Sequence, residues 1–129
     1  MKIKKQPKTY RYRANVTRVV DGDTADVLIE FRPFGVFKKA RLRFYGINVP
    51  ETRTRDKREK ALGLEVKGYV GNLIADQEIR IVIDDLGKFG RALAMVYYDG
   101  KERSLNQELI DTKQAKLYYG GKRKGWFEK

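Results

Sequence analysis

An amide, a main-chain carbonyl and a carboxylate crowd into four residues of this chain: Asn48, Val49 and Glu51, bent around Pro50. Just upstream stands Arg43, in a segment where Leu42 and Phe44 are apolar and Arg41 and Arg43 charged. That period of two marks a half-buried strand. Gly46 and Pro50 then end regular pairing, because glycine accepts a positive φ and proline has no backbone donor. An arginine on a rigid strand, followed by oxygen ligands on a constrained turn, suits a cation and a phosphate bound side by side. Glu51 reads in two ways. It is either a surface acid suited to a helix N-terminus, or a general base that takes a proton from water, or orients that water, toward phosphorus.

A second set of candidates lies in DGDT at 21–24. Asp-Gly is common in tight hairpins for backbone reasons alone. The chemical reading is that Asp23 offers its carboxylate to a metal, with Asp21 an auxiliary acid outside the direct ligands. A calcium helix-loop-helix is excluded, because Arg32 stands where the twelfth loop position needs a glutamate. Arg91, in GKFGRALAMV, is delivered by a glycine-rich turn to the start of an apolar strand. Either Arg43 or Arg91 alone is ordinarily just solvated. Together, two planar forks can grip a phosphate and offset the charge that grows in a transition state. Glu65-Val66-Lys67 matches the Glu-x-Lys string of restriction-type nucleases, but it falls within a helical pattern and is set aside as chance.

Composition narrows the chemistry further. The 129 residues suffice for one modest core. With 29 Lys and Arg against 17 Asp and Glu, the net charge of +12 points to a polyanion: nucleic acid first, an acidic membrane surface second, since no long basic amphipathic helix is evident. The same surplus favours a monomer. Histidine and cysteine are both absent. Their absence excludes thiolate or imidazole zinc sites and every nucleophile or base that depends on them. Hydrolysis here would have to rest on carboxylates, arginines, lysines and a hard metal ion. Without disulfides the redox compartment is unconstrained. The start, MKIKKQPKTYRYR, is basic with no apolar run after it. It reads as no signal peptide and no membrane anchor, which points to the cytoplasm, or to secretion if a leader has been removed.

The elements that must hold these residues can be read in order. Residues 1–10 form a basic arm, expected to fray, and 11–129 a single domain. Strands are expected at Arg13–Val20 and Thr24–Phe31, joined at Asp21-Gly22, and at about Phe37–Ile47 after a looser Arg32-Pro33-Phe34-Gly35 turn. Residues 57–75 change to helical spacing, with Leu62, Val66, Tyr69, Val70, Leu73 and Ile74 on one side. Gly63, Gly68 and Gly71 interrupt it at about 1 kcal/mol each relative to alanine, which suggests close packing on a sheet. Strands follow at Glu78–Ile83 and Arg91–Tyr98. Ser104 and Gln107 form a capping-box pattern that opens a short helix to about Lys113. The tail, GGKRKGWFEK, is basic and carries the sole tryptophan, Trp126. The order predicts a mainly β, α+β fold: a five-stranded OB-type barrel with two to three helices.

These segments together resemble the staphylococcal (micrococcal) nuclease, or thermonuclease, family. The likeness runs through VTRVVDGDT at 16–24, RLRFYGINVPET at 41–52, KALGLEVKGYV at 60–70, GKFGRALAMVYYDGK at 87–101 and NQELIDTKQAKLYY at 106–119. It implies the OB barrel and calcium-dependent hydrolysis of DNA and RNA phosphodiesters to 3′-phosphates, with single strands cut best. Carried over by position, Asp23 and Asn48 would hold Ca²⁺ with the Val49 carbonyl, and Glu51 would reach it through water and act as base. Arg43 and Arg91 would hold the phosphate; Lys88, Phe89 and Tyr119 would line the nucleotide site. The family often has aspartate at Asn48, threonine at Val49 and tyrosine at Phe89. The neutral Asn48 weakens the cation's shell and leaves Mg²⁺ or Mn²⁺ as alternatives to Ca²⁺. It also leaves room for a rival from another class: an OB barrel that binds single strands and cuts nothing. The nuclease reading requires the first hairpin and the bend before Pro50 to meet and cradle a divalent ion between the two guanidinium groups.

Overall fold

The computed structural model describes residues 1–6, 9–84 and 91–127. Its first strands are β1 (Tyr10–Asp21), β2 (Thr24–Phe31) and β3 (Val36–Phe44). After them come β4 (Ile47–Asn48), helix α1 (Lys57–Ile74), β5 (Glu78–Ile83), β6 (Arg91–Tyr97), helix α2 (Leu105–Asp111) and β7 (Lys116–Leu117). Strands β1-β2-β3-β6-β5 close into a barrel, with β3 and β6 parallel and the other neighbours antiparallel. This is the five-stranded, OB-like α+β barrel that the sequence predicts, with two helices. Alternation does the sorting. In β2, Ala25, Val27 and Ile29 point inward and are buried, and Leu42 and Phe44 do the same from β3. Among the described residues no helix is long and apolar enough to cross a membrane.

Three details differ from the expectation and bear on the site. The third strand stops at Phe44 rather than at Ile47. Gly46, at φ +79°, turns the chain, and Ile47–Asn48 re-pair with Lys116–Leu117 in a separate two-stranded sheet. The bend that carries Asn48 is therefore anchored to the C-terminal part of the chain. The glycine of the first hairpin is present for room rather than for φ: a Cβ on Gly22 would lie 2.5 Å from Val66 Cγ1 of α1. Of the helix glycines, only Gly63 marks a close approach. Its partner is the Pro50–Glu51 backbone, with a Cβ 2.7 Å from the Pro50 carbonyl oxygen, whereas Gly68 and Gly71 face open space.

The helices are started by side chains. Asp56 caps α1 by accepting from the amides of Arg58 and Glu59 at 2.9 and 3.3 Å. Ser104 caps α2 by accepting from the Gln107 amide at 3.0 Å. The reciprocal half of that capping box is missing, because the Gln107 side chain instead accepts from the Ile3 amide and donates to the Met1 carbonyl. Residues 1–6 thus lie along α2 and β6, and Gln6 is buried with its amide on the Leu93 carbonyl. Asn106 is wholly buried and fully satisfied. It accepts from Val96 N and donates to the carbonyls of Tyr45 and Ala94, each at 2.9 Å, which stitches α2 to β6 and to the turn before the bend.

Candidate functional site

The first hairpin and the bend before Pro50 meet. The amide of Phe44 donates to the Asp23 carbonyl at 2.8 Å, and the amide of Val49 reaches Asp23 Oδ2 at 3.4 Å. The Thr52 hydroxyl donates to Asp21 Oδ1 at 2.7 Å. Asp21 is thereby a tether between hairpin and bend. Behind them, Gly63 lets the Pro50–Glu51 backbone lie directly on α1. Glu59, a buried acid in that helix's first turn, accepts from the Glu51 amide at 2.8 Å. The result is a pocket of about 70 Å³ lined by Asp21, Asp23, Val49, Glu51 and, from the tail, Arg123. A larger cavity of about 630 Å³ opens where the start of β1 meets the end of β2, and none of the candidate catalytic, metal or substrate-binding residues lines it.

Arg43 leaves β3 beside this pocket. Its guanidinium lies 3.2 Å from Asp23 Oδ2 and donates to the carbonyls of Phe44 and Ile47 at 3.0 and 2.9 Å. Burial lowers its pKa from the ordinary guanidinium value; the Asp23 charge opposes that, while Arg123 and Arg91 push the same way. Arg91 reaches the same neighbourhood through the β3–β6 pairing, where it stands opposite Arg41 while Arg43 stands opposite Leu93. Arg91 itself is exposed and does not line the pocket.

Arg43 also lines a groove of about 170 Å³, together with Tyr45, Tyr118 and Tyr119. Tyr119 is half-exposed, lies 5.7 Å from the Tyr45 ring, and accepts from the Lys4 amide through its hydroxyl. Lys88 and Phe89 lie outside the described residues.

The donors suit a hard cation. Asn48 is buried, and its Oδ1 is an acceptor with no hydrogen-bond partner. Such an atom is costly unless something electropositive meets it. Asn48 itself does not line the pocket, whereas Asp23 and Val49 do; its amide oxygen would complete with the Asp23 carboxylate and the Val49 carbonyl an all-oxygen set of the kind calcium and magnesium require. That set is poor in charge: among the described residues, no three His, Cys, Asp or Glu side chains gather as a metal-holding group.

Sequence reasoning missed Glu59, Arg123, Tyr45 and Tyr118. Glu59 had a local signal, an acid three residues after the capping Asp56. Arg123 had none, since one arginine within GGKRKGWFEK looks like its neighbours.

An OB-like barrel carrying an acidic, oxygen-lined pocket flanked by arginines and tyrosines defines a class of small β-barrel domain. The chain belongs to a family within that class, the staphylococcal nuclease homologues, whose profile matches residues 41–126. It is 29% identical over 86 residues to a micrococcal nuclease of Shigella flexneri, covering 67% of this chain and 42% of that protein. It is 28% identical over 108 residues to Protein ParB of Escherichia coli, covering 84% of this chain and 54% of that one. The chain thus spans about half the length of these curated relatives.

Proposed function

We propose that this domain hydrolyses phosphodiester bonds of single-stranded DNA or RNA in a divalent-ion-dependent reaction. The observation that carries this reading is the convergence of Asp23, Val49 and Glu51 on one pocket beside the guanidinium of Arg43. Asp23, Asn48 and the Val49 carbonyl would hold the ion, Ca²⁺ by family likeness. When bound, the ion supplies electrophilic polarisation of a phosphate oxygen and a coordination position for water.

The remaining work falls to side chains. The +12 surface gathers the strand by counterion release, so binding weakens steeply with salt. Tyr119, with Tyr45 and Tyr118, offers ring faces to a base next to the scissile phosphate. Arg43 and Arg91 hold the phosphate and stabilise charge on its equatorial oxygens. Glu51 accepts the proton of the attacking water at a carboxylate oxygen, its backbone fixed through Glu59.

The neutral Asn48 favours a second reading, a barrel that binds single strands without cutting them. A gel assay with calcium, comparing this chain with Glu51→Gln, separates the two. The nuclease reading expects cleavage abolished by EDTA and lost in Glu51→Gln, with oligonucleotide binding retained. Cleavage that survives EDTA in pure protein, or the absence of cleavage in both chains, defeats it.

A further inference from the structure

The tail delivers a third guanidinium to the site. Arg123 Nη1 lies 2.6 Å from Glu51 Oε1, and Nη2 donates to the Val49 carbonyl at 3.4 Å. The first is the oxygen of the proposed base, the second an oxygen proposed to hold the ion. Further contacts hold the segment carrying Arg123 against the bend and α1. The Trp126 amide donates to Glu59 Oε1 at 3.0 Å. The Lys116 ammonium donates to the Trp126 carbonyl and sits 4.2 Å from its ring. The Arg58 guanidinium lies 4.4 Å from the Phe127 ring. Glu59 therefore holds the Glu51 amide with one oxygen and the Trp126 amide with the other. A single buried carboxylate ties together the bend and the strap that crosses it.

A guanidinium and a divalent cation repel, so each weakens the other's hold on the Glu51 carboxylate and the Val49 carbonyl. We propose that Arg123 is a built-in competitor of the divalent ion: it holds Glu51 and the Val49 carbonyl until the ion displaces it and loosens the strap around residues 120–127 where it crosses the pocket. This rests on the reading of Asp23, Asn48 and Val49 as the ion site. It adds a cost to ion binding that this chain's own tail sets, and it leaves Glu51 free to meet water only once the ion is seated. The contact is half-exposed, with the two side chains 38% and 42% accessible. A pair of that kind is worth roughly a fivefold change in ion affinity.

Trp126 lies on the strap and is the only tryptophan, so its fluorescence reports the strap directly. Calcium alone is titrated into the full chain, Arg123→Ala, Arg123→Lys and Lys122→Ala, with affinity read by calorimetry and strap position by Trp126 emission. Arg123→Ala is expected to bind Ca²⁺ about fivefold tighter, and Arg123→Lys to fall between it and the unaltered chain, because lysine keeps the charge and loses the two-pronged grip. Lys122→Ala removes an exposed charge next door and is expected to change affinity less than about twofold. In the unaltered chain Trp126 emission should shift with the same midpoint as binding. Equal tightening by Arg123→Ala and Lys122→Ala would reduce the effect to net charge and overturn the proposal. So would Trp126 emission that ignores saturating calcium. Absence of calcium binding in all four chains defeats the ion site itself and the proposal with it, whereas equal affinity in all four defeats the proposal alone.

Discussion

Two identical substitutions in α1 should have opposite effects, and the difference tests how the Glu51 loop is held. Replacing an exposed helix glycine by alanine ordinarily gains about 1 kcal/mol. Gly68 is exposed with open space beside it, so Gly68→Ala should realise that gain. Gly63 is buried, and its Cβ would lie 2.7 Å from the Pro50 carbonyl oxygen and 2.8 Å from that of Glu51. Both obstacles are backbone, so relief requires the loop or the helix to move by several tenths of an ångström. Overpacking of that kind costs about 1–3 kcal/mol, which outweighs the propensity gain. The two variants should therefore differ by about 2 kcal/mol, or about 1 M in urea midpoint for a domain of this size. The loop that must yield also carries the proposed base, so Gly63→Ala should lose about tenfold in cleavage rate while Gly68→Ala loses none. The assay is urea unfolding followed by fluorescence, with single-strand cleavage measured on the same preparations. If both variants gain stability equally, the close approach of the loop to α1 is wrong and the positioning argument fails.

Other perturbations are simpler. Asn48→Asp restores a charge to the ion's shell and should tighten calcium at least about tenfold by calorimetry; equal or weaker affinity counts against Asn48 as a ligand. Glu108 is buried and accepts from the hydroxyls of Tyr69 and Tyr98. Burial pushes its pKa up, but those bonds and the Arg103 and Lys101 charges prevail and the net shift is downward. In return, the hydrogen bond to Glu108, aided by burial, raises Tyr69 to about 12. The stability Tyr69 contributes is then fully present below its unfolded value near 10 and lost as pH climbs through 12, about 2 kcal/mol in all. Melting curves across that range should show the alkaline loss in the unaltered chain and a smaller one in Tyr69→Phe. Asn106→Leu leaves the amide of Val96 and the carbonyl of Tyr45 without their partner, which should cost about 2–4 kcal/mol in urea unfolding.

The barrel was legible because period-two burial is written residue by residue: Ala25, Val27 and Ile29 announce their face without help from distant chain. The candidate site was legible only in part. Glu51 and Asp23 stand out because each is an acid beside a turn-former, and Arg43 because it alternates with the apolar Leu42 and Phe44 on a strand. Arg123 could not be read, because what singles it out is a contact across 72 residues; Glu59 showed only its place after the capping Asp56, and not that its buried carboxylate is shared by the amides of Glu51 and Trp126. The helix glycines show the same limit. Three looked alike in sequence, yet only Gly63 touches anything, and its neighbour is the loop rather than the sheet.

This asymmetry bears on how the domain could switch between binding and cutting. The features that would gather nucleic acid, the basic surface and the tyrosines, are distributed and would survive the loss of any one residue. Those that would make it a nuclease pass through few atoms. The Glu51 backbone is placed by Gly63 and Glu59, and Glu59 also holds the strap whose Arg123 covers the Glu51 carboxylate. Substituting Glu59 should therefore release the base and misplace it at the same time. Glu59→Gln keeps the side chain's shape but replaces one acceptor oxygen by a donor that faces an amide. Ion affinity should rise as the strap loosens while the cleavage rate falls, a split that neither loss of folding nor loss of substrate binding would produce.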